Sequence, residues 1–259
     1  MPAAVVFNGL GRPSAALKAL DGLEEQPLAR GWAEQTRYEI LRGADRNDEA
    51  LALAQSIAAR GSAGPEAFVR LGDAYAAMDR HADAAQAFQQ AIARVTTLRG
   101  EAAVPWHYWL QWGRELEAAG DWPKARAALL KSVAAGPDQA SALNHLGYSM
   151  LEHGEDAVAA STYLARANAV RPDDAAIIDS LGWAWVRRGD LGKAIPLLED
   201  AAQREPGMGE ISEHLGDAYW LAGRRIDARY AWRNALVQSD GKDAERLTGK
   251  IDFGLKAKP

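Results

Sequence analysis

The sequence predicts an all-α fold of stacked helical hairpins, and three observations carry that prediction. A Leu-Gly pair recurs as Leu146-Gly147, Leu181-Gly182 and Leu215-Gly216, at spacings of 35 and 34 residues. About a dozen residues beyond each pair stands an alanine (Ala160, Ala194, Ala228), and a second small residue follows at Ala167, Ala201 and Ala235. Seven positions after each of these glycines comes another, Gly154, Gly189 or Gly223, and Gly120 holds the same place upstream. Self-similarity at a period near 34 residues marks a repeat architecture.

The physical sense of the pattern is direct. A first helix carries apolar residues three or four apart, such as Ile178, Leu181 and Trp185. A glycine that accepts positive φ then stops it. The small residues let the second helix approach closely, where larger ones would overpack the interface by roughly 1–3 kcal/mol. One hairpin cannot bury its apolar face alone, so neighbours must stack.

The order Leu-Gly, Tyr or Trp, Ala, a bulky residue, Ala and Pro (Pro172, Pro206) recurs in register in at least four units and resembles the tetratricopeptide (TPR) repeat. That resemblance implies a right-handed α-α superhelical solenoid of TPR hairpins with a C-terminal capping helix. It also implies a scaffold that binds a protein or extended peptide in its concave groove and has no catalytic role.

Taken in order, the chain reads as a single TPR solenoid over 1–259. Residues 1–27 form a truncated repeat, with Gly11 at the turn and Ala16, Leu20 and Leu23 on its second helix. Val5, Val6 and Phe7 lack an upstream neighbour, so the start reads as a fragment of a longer array whose apolar edge self-associates. Residues 31–63 are a degenerate repeat in which Tyr38 stands where glycine is expected. Residues 65–98 restore the pattern through Phe68, Leu71-Gly72, Tyr75, Ala84, Phe88 and Ala91, with Asp79 replacing the turn glycine. An insertion at 99–105 reads as a bend or contact loop. Repeats at 106–139, 140–174, 175–208 and 209–242 follow, the second with one extra residue in its turn. A helix at 243–257, with Ala244, Leu247, Ile251 and Leu255 on one stripe, caps the end.

Composition narrows the function classes. Thirty basic against 35 acidic side chains give a formal charge of −5, which argues against the clustered basic face that nucleic acid requires. Cysteine is absent, a usage that fits cytosol or bacterial periplasm and excludes disulfides. No apolar run approaches the ~20 residues that span a bilayer. The opening Met-Pro-Ala-Ala-Val-Val-Phe lacks the basic leading segment of a secretory signal. The histidines at 81, 107, 145, 153 and 214 show no i, i+4 pairing, so neither metal nor cofactor is expected.

By the family register, the groove face of the first helices comprises His107, Leu110, Arg114 and Glu117, then Asn144, Tyr148, Leu151 and Glu152. Asp179, Trp183, Val186 and Arg187 follow, and then Glu210, Glu213, Asp217, Trp220 and Leu221. From these, Asn144, Tyr148, Asp179, Trp183, Glu213, Asp217 and Trp220 are the candidate partner-binding residues. Trp109, Trp112, Trp185 and Trp232 fall on core positions, and Trp122 reads as packing too. Trp183 and Trp220 fall on the groove face among acids, a surface that suits Lys or Arg beside apolar side chains. A lysine–asparagine clamp for acidic chaperone tails is absent: Val69/Asp73, Leu110/Arg114, Asn144/Tyr148, Asp179/Trp183 and Glu213/Asp217 all fail to match it. His145, Ser180 and His214 occupy one place in successive repeats, with Asp179 and Asp217 near. Equivalent residues in stacked repeats are expected to lie too far apart for a nucleophile–base pair.

The stretches Asn144-His145-Leu146-Gly147-Tyr148, Asp179-Ser180-Leu181-Gly182-Trp183-Ala184 and His214-Leu215-Gly216-Asp217-Ala218-Tyr219-Trp220 resemble large proteobacterial envelope TPR proteins, many of them lipoproteins. That resemblance implies an adaptor in the periplasm or on the inner face of the outer membrane, bringing substrates to a processing protease. A lipoprotein signal would then lie upstream of Met1. The alternatives are a cytoplasmic protein, or a regulatory, substrate-recruiting segment of a larger enzyme.

Overall fold

A computed structural model describes residues 3–255. All regular structure among them is helical, and it forms two compact units, Met1–Ala128 and Leu129–Pro259. The first contains α1 (Ala3–Gly9), α2 (Pro13–Lys18), α3 (Arg30–Gly43), α4 (Asn47–Ala58), α5 (Pro65–Ala76), α6 (His81–Arg99) and α7 (Trp106–Ala118), and the division falls inside α8 (Trp122–Ala135). The second contains α9 (Ala140–Glu152), α10 (Ala157–Val170), α11 (Ala175–Arg187), α12 (Leu191–Arg204), α13 (Gly209–Leu221), α14 (Arg225–Val237) and α15 (Gly241–Phe253).

The Leu-Gly glycines are where paired helices meet. A Cβ added to Gly147 would lie 2.7 Å from Leu164 Cγ, one added to Gly182 would lie 2.8 Å from Leu198 Cγ, and one on Gly216 would run into Trp232. The bulky partner stands 16 residues after Gly182 and Gly216 and 17 after Gly147. The extra residue of that hairpin is therefore taken up in the turn, where Asp156 caps α10 by accepting from Val158 N. Gly120, Gly154, Gly189 and Gly223 have φ of 85°, 71°, 78° and 81° and end the first helices as expected.

In the first unit the degenerate hairpin keeps its packing by exchanging sizes. Tyr38 is buried and donates its hydroxyl to the Arg70 carbonyl at 3.0 Å. Sixteen residues on stands Ala54, buried in the same cluster, where other repeats have Leu, Phe or Trp. Its turn is made by Asp45 at φ 57°, as Asp79 makes the next at φ 55°. The expected second helix of the opening repeat is shorter than read from sequence. α2 stops at Lys18, because Gly22 at φ 79° turns the chain, although Leu20 remains buried. Phe7 packs onto the core cluster of this unit, whereas Val5 and Val6 are exposed. The insertion is no free loop: α6 runs on to Arg99, a single turn of 3-10 helix follows, and Val104 is buried beside Phe68 and Trp109.

In the second unit Leu151 and Val186, placed on the groove face by register, are core residues. α15 docks through Leu247, Ile251 and Leu255, and residues 256–257 of the predicted cap lie outside the described residues. Among the described residues, no helix is long and apolar enough to cross a membrane.

Candidate functional site: a carboxylate-lined groove in the second unit

Helices α9, α11, α13 and α15 surround a cavity of about 490 Å³. It is lined by Tyr148 and Glu152 from α9, Trp183 from α11, Glu210, Glu213, His214 and Asp217 from α13, and Asp243, Arg246 and Lys250 from α15. α11 is started by the Asp174 carboxylate, which accepts from Ile177 N. This registers Asp179 and Trp183, four residues apart, on one face.

The floor is a buried histidine–carboxylate pair covered by an indole. His214 Nδ1 lies 2.9 and 3.1 Å from the Asp179 carboxylate oxygens, and both side chains are buried. The Trp183 ring stacks on the imidazole with centroids 4.3 Å apart and planes 11° off parallel. Burial alone would lower the His214 pKa, but the contact with Asp179, reinforced by Glu210 and Asp217, raises it above the ordinary imidazole value. The expected separation of successive repeats applies to equivalent residues, and the contact here is between non-equivalent ones. Asp179 and His214 are separated by one repeat plus one position, and that offset brings the two side chains together. The Ser180 hydroxyl instead donates to the Ala176 carbonyl of its own helix at 2.8 Å, so no Ser–His pair forms with His214.

Two carboxylates flank this floor. Trp183 Nε1 donates to Glu152 Oε1 at 3.2 Å, and the Tyr148 hydroxyl donates to Glu210. Burial, followed by the Glu210 carboxylate, pushes the Tyr148 pKa up and keeps the phenol protonated as that donor. Both glutamates are exposed, each with a second oxygen to offer a ligand.

The other candidates are arranged differently from their sequence reading. Asp217 is buried; it accepts from Trp232 Nε1 at 2.8 Å and from Lys250 Nζ at 2.7 Å. Burial raises its pKa more than Lys250 and Trp232 lower it. Glu213 accepts from Lys250 Nζ at 2.5 Å and pairs with Arg246. Burial opposes its ionisation, but the two cations win and hold its pKa below the usual value. Lys250 and Arg246, which lie off the apolar stripe of α15, are therefore the groove's own counter-ions. Trp220 does not line the cavity. It lies against Trp232, centroids 5.4 Å apart, with Gly254 so close that a Cβ there would collide with its ring, and with the Arg225 guanidinium 4.4 Å from it. Asn144 lines a smaller adjoining cavity of about 130 Å³ with Tyr148, Asp179 and Ser180, and its buried Oδ1 has no hydrogen-bond partner. Sequence reasoning noted His214 beside Asp179 and Asp217 without placing it in the groove, and it missed the two basic residues of α15, although their 33- and 37-residue distances from Glu213 and Asp217 are close to the repeat length.

Comparison with known proteins agrees with this architecture. The tetratricopeptide repeat family model matches residues 39–97, 110–175 and 180–244. No functionally curated protein matches the sequence. Among solved structures, the chain is similar to the APC/C hetero-tetramer Cut9-Hcn1, with 16% identity and a TM-score of 0.68 over 96% of this chain. It spans 47% of that relative's length. The C-terminal part of a TPR repeat-containing protein from Cytophaga hutchinsonii gives 19% identity and a TM-score of 0.61, covering 94% of this chain and 97% of that one. YrrB, described as a TPR protein with an unusual peptide-binding site, gives 17% and 0.57, covering 75% and 96%. At these identities the likeness is one of fold. The family model covers well over half of the sequence, and the chain belongs to the tetratricopeptide repeat family.

Proposed function

We propose that this protein-interaction scaffold uses the groove of its second unit to bind an extended partner segment that presents a lysine or arginine next to apolar side chains. The observation that carries the reading is the Trp183–His214 stack held between the exposed carboxylates of Glu152 and Glu210. The indole offers apolar area and a π face to a cation, while the two glutamates supply opposite charge on either side. Five carboxylates line the cavity against Arg246, Lys250 and His214, so the groove remains acidic after α15 has neutralised part of it. Its floor is fixed before binding, because His214 is locked by Asp179, and a preformed wall reduces the ordering cost of association. Tyr148 lines the same groove and holds Glu210, while Asn144 and Asp179 line the smaller adjoining cavity.

An array of extended peptides tests this. Peptides with Lys or Arg flanked by Leu or Phe should be retained, and matched peptides with Glu at the same place should not. Equal retention of both sets would refute the charge reading. The resemblance of residues 140–240 to envelope TPR proteins supports a finer version, in which the partner is a substrate on its way to a processing protease in the periplasm. Co-purification of such a protease with the protein, reduced by Trp183→Ala, is the corresponding test; unchanged co-purification would separate the groove from that role.

A further inference from the structure

The second helix of the last repeat carries an apolar stripe on its solvent side. In α14, Ile226, Tyr230 and Val237 are 71%, 66% and 77% exposed, and Arg233 between them is exposed too. The helix packs inward through Ala228, Trp232 and Ala235, so at 100° per residue the stripe lies opposite the core face. The same register positions in the preceding second helix, α12, hold Gly192, Pro196, Glu199 and Gln203, and in α10 they hold Val158, Thr162, Ala165 and Ala169. Three large apolar residues on an outward face are thus particular to α14 and are not required by the hairpin.

Ile226, Tyr230, Arg233 and Val237 follow one another at 4, 3 and 4 residues, the seam of a helix that packs lengthwise against another helix, with Arg233 as its one charged member. The charge beside the seam is one-sided. Arg225 and Arg233 are exposed, and the one acid of the helix, Asp227, is taken at 2.8 Å by Arg224, which also meets Glu199 of α12 at 3.3 Å. We propose that this face of α14 docks an amphipathic helix of a partner protein whose apolar seam is flanked by Asp or Glu. A second copy of the chain fits less well, because pairing α14 with itself would bring both sets of arginines together. An anionic membrane would satisfy the charge, but it gives no reason for heptad spacing.

The test uses the full chain and two labelled heptad peptides with identical Leu seams, one flanked by Glu and the other by Lys. Fluorescence anisotropy should show the Glu-flanked peptide binding at least about tenfold more tightly. Ile226→Ser with Val237→Ser should weaken it by about tenfold or more, and Arg233→Glu should reverse the preference between peptides. These residues are exposed, so circular dichroism should be unchanged in every variant. Equal binding of both peptides, binding insensitive to the seam variants, or no binding of either would overturn the proposal. So would flotation with phosphatidylglycerol vesicles, or self-association lost in the seam variants, in the absence of peptide binding. A Trp183→Ala control, which should leave this binding intact, separates the α14 face from the groove.

Discussion

The His214 imidazole and the Asp179 carboxylate, 35 residues apart in sequence, meet at 2.9 Å in the buried wall of the second unit. The contact joins α11 to α13 across successive repeats and holds a titratable group that raises its own pKa on folding. A raised folded value means that its stabilisation is fully present below the unfolded pKa, about 6.5, and is lost as pH rises through the folded value. Stability of the protein measured by urea unfolding should therefore fall across that window. In His214→Asn this contribution to the slope should vanish, whatever the variant's absolute stability. An unchanged slope would mean that the pair does not titrate on unfolding.

Lys250 is the second electrostatic keystone, because it faces both Glu213 and Asp217 from a largely buried position. Lys250→Met leaves Asp217 buried without its cation and should cost about 3–5 kcal/mol at neutral pH. The cost should shrink as pH falls, since the folded state then holds a proton on Asp217 more tightly than the unfolded state does. Urea midpoints at pH 7 and pH 5 check this. A penalty that is the same at both values would show that packing of the lysine stem, and not charge, is what was lost.

The packing register predicts opposite signs for two glycines of one hairpin. Gly182→Ala drives a methyl group to 2.8 Å from Leu198 Cγ and should destabilise by about 1–3 kcal/mol. Gly192→Ala meets only Asp190 Oδ1, at 3.6 Å, and should be neutral or stabilising by up to ~1 kcal/mol. Melting temperatures that move together would place the helix interface elsewhere.

These glycines also show why so much of the fold was legible. Leu-Gly, the turn glycine and the alanines are short-range requirements repeated at a fixed period, so errors at one repeat are corrected by the next. Tyr38 hid the degenerate repeat because its size was exchanged with Ala54, a compensation visible only when positions 16 apart are read together. The site was less legible because it is made across repeats. Asp179, Trp183, Glu213 and Asp217 were found as a strip. Their partners His214, Arg246 and Lys250 depend on how far α13 and α15 are offset along their axes, which the register of one repeat does not state. Trp220 was read as a groove anchor since its position is one; α15 and Gly254 cover it.

At the opposite end of the chain, Val5 and Val6 are 41% and 45% exposed while Phe7 packs inward. Self-association through that edge should be suppressed by Val6→Asp without loss of helical content. Phe7→Asp should instead destabilise the first unit, because it strikes the core. Sedimentation velocity over a concentration series checks the first expectation and thermal unfolding the second. A strict monomer at high protein concentration would remove the self-association proposal.

The central claim is that the groove recognises a cation beside an apolar anchor. Its most direct measurement is a calorimetric titration of one retained lysine peptide into wild-type protein, Trp183→Ala and Glu152→Gln/Glu210→Gln at low and high salt. Trp183→Ala should weaken binding by about 2 kcal/mol or more at both salt concentrations, whereas the double glutamine variant should weaken it chiefly at low salt. Wild-type affinity in both variants, with helical content intact, would contradict the account.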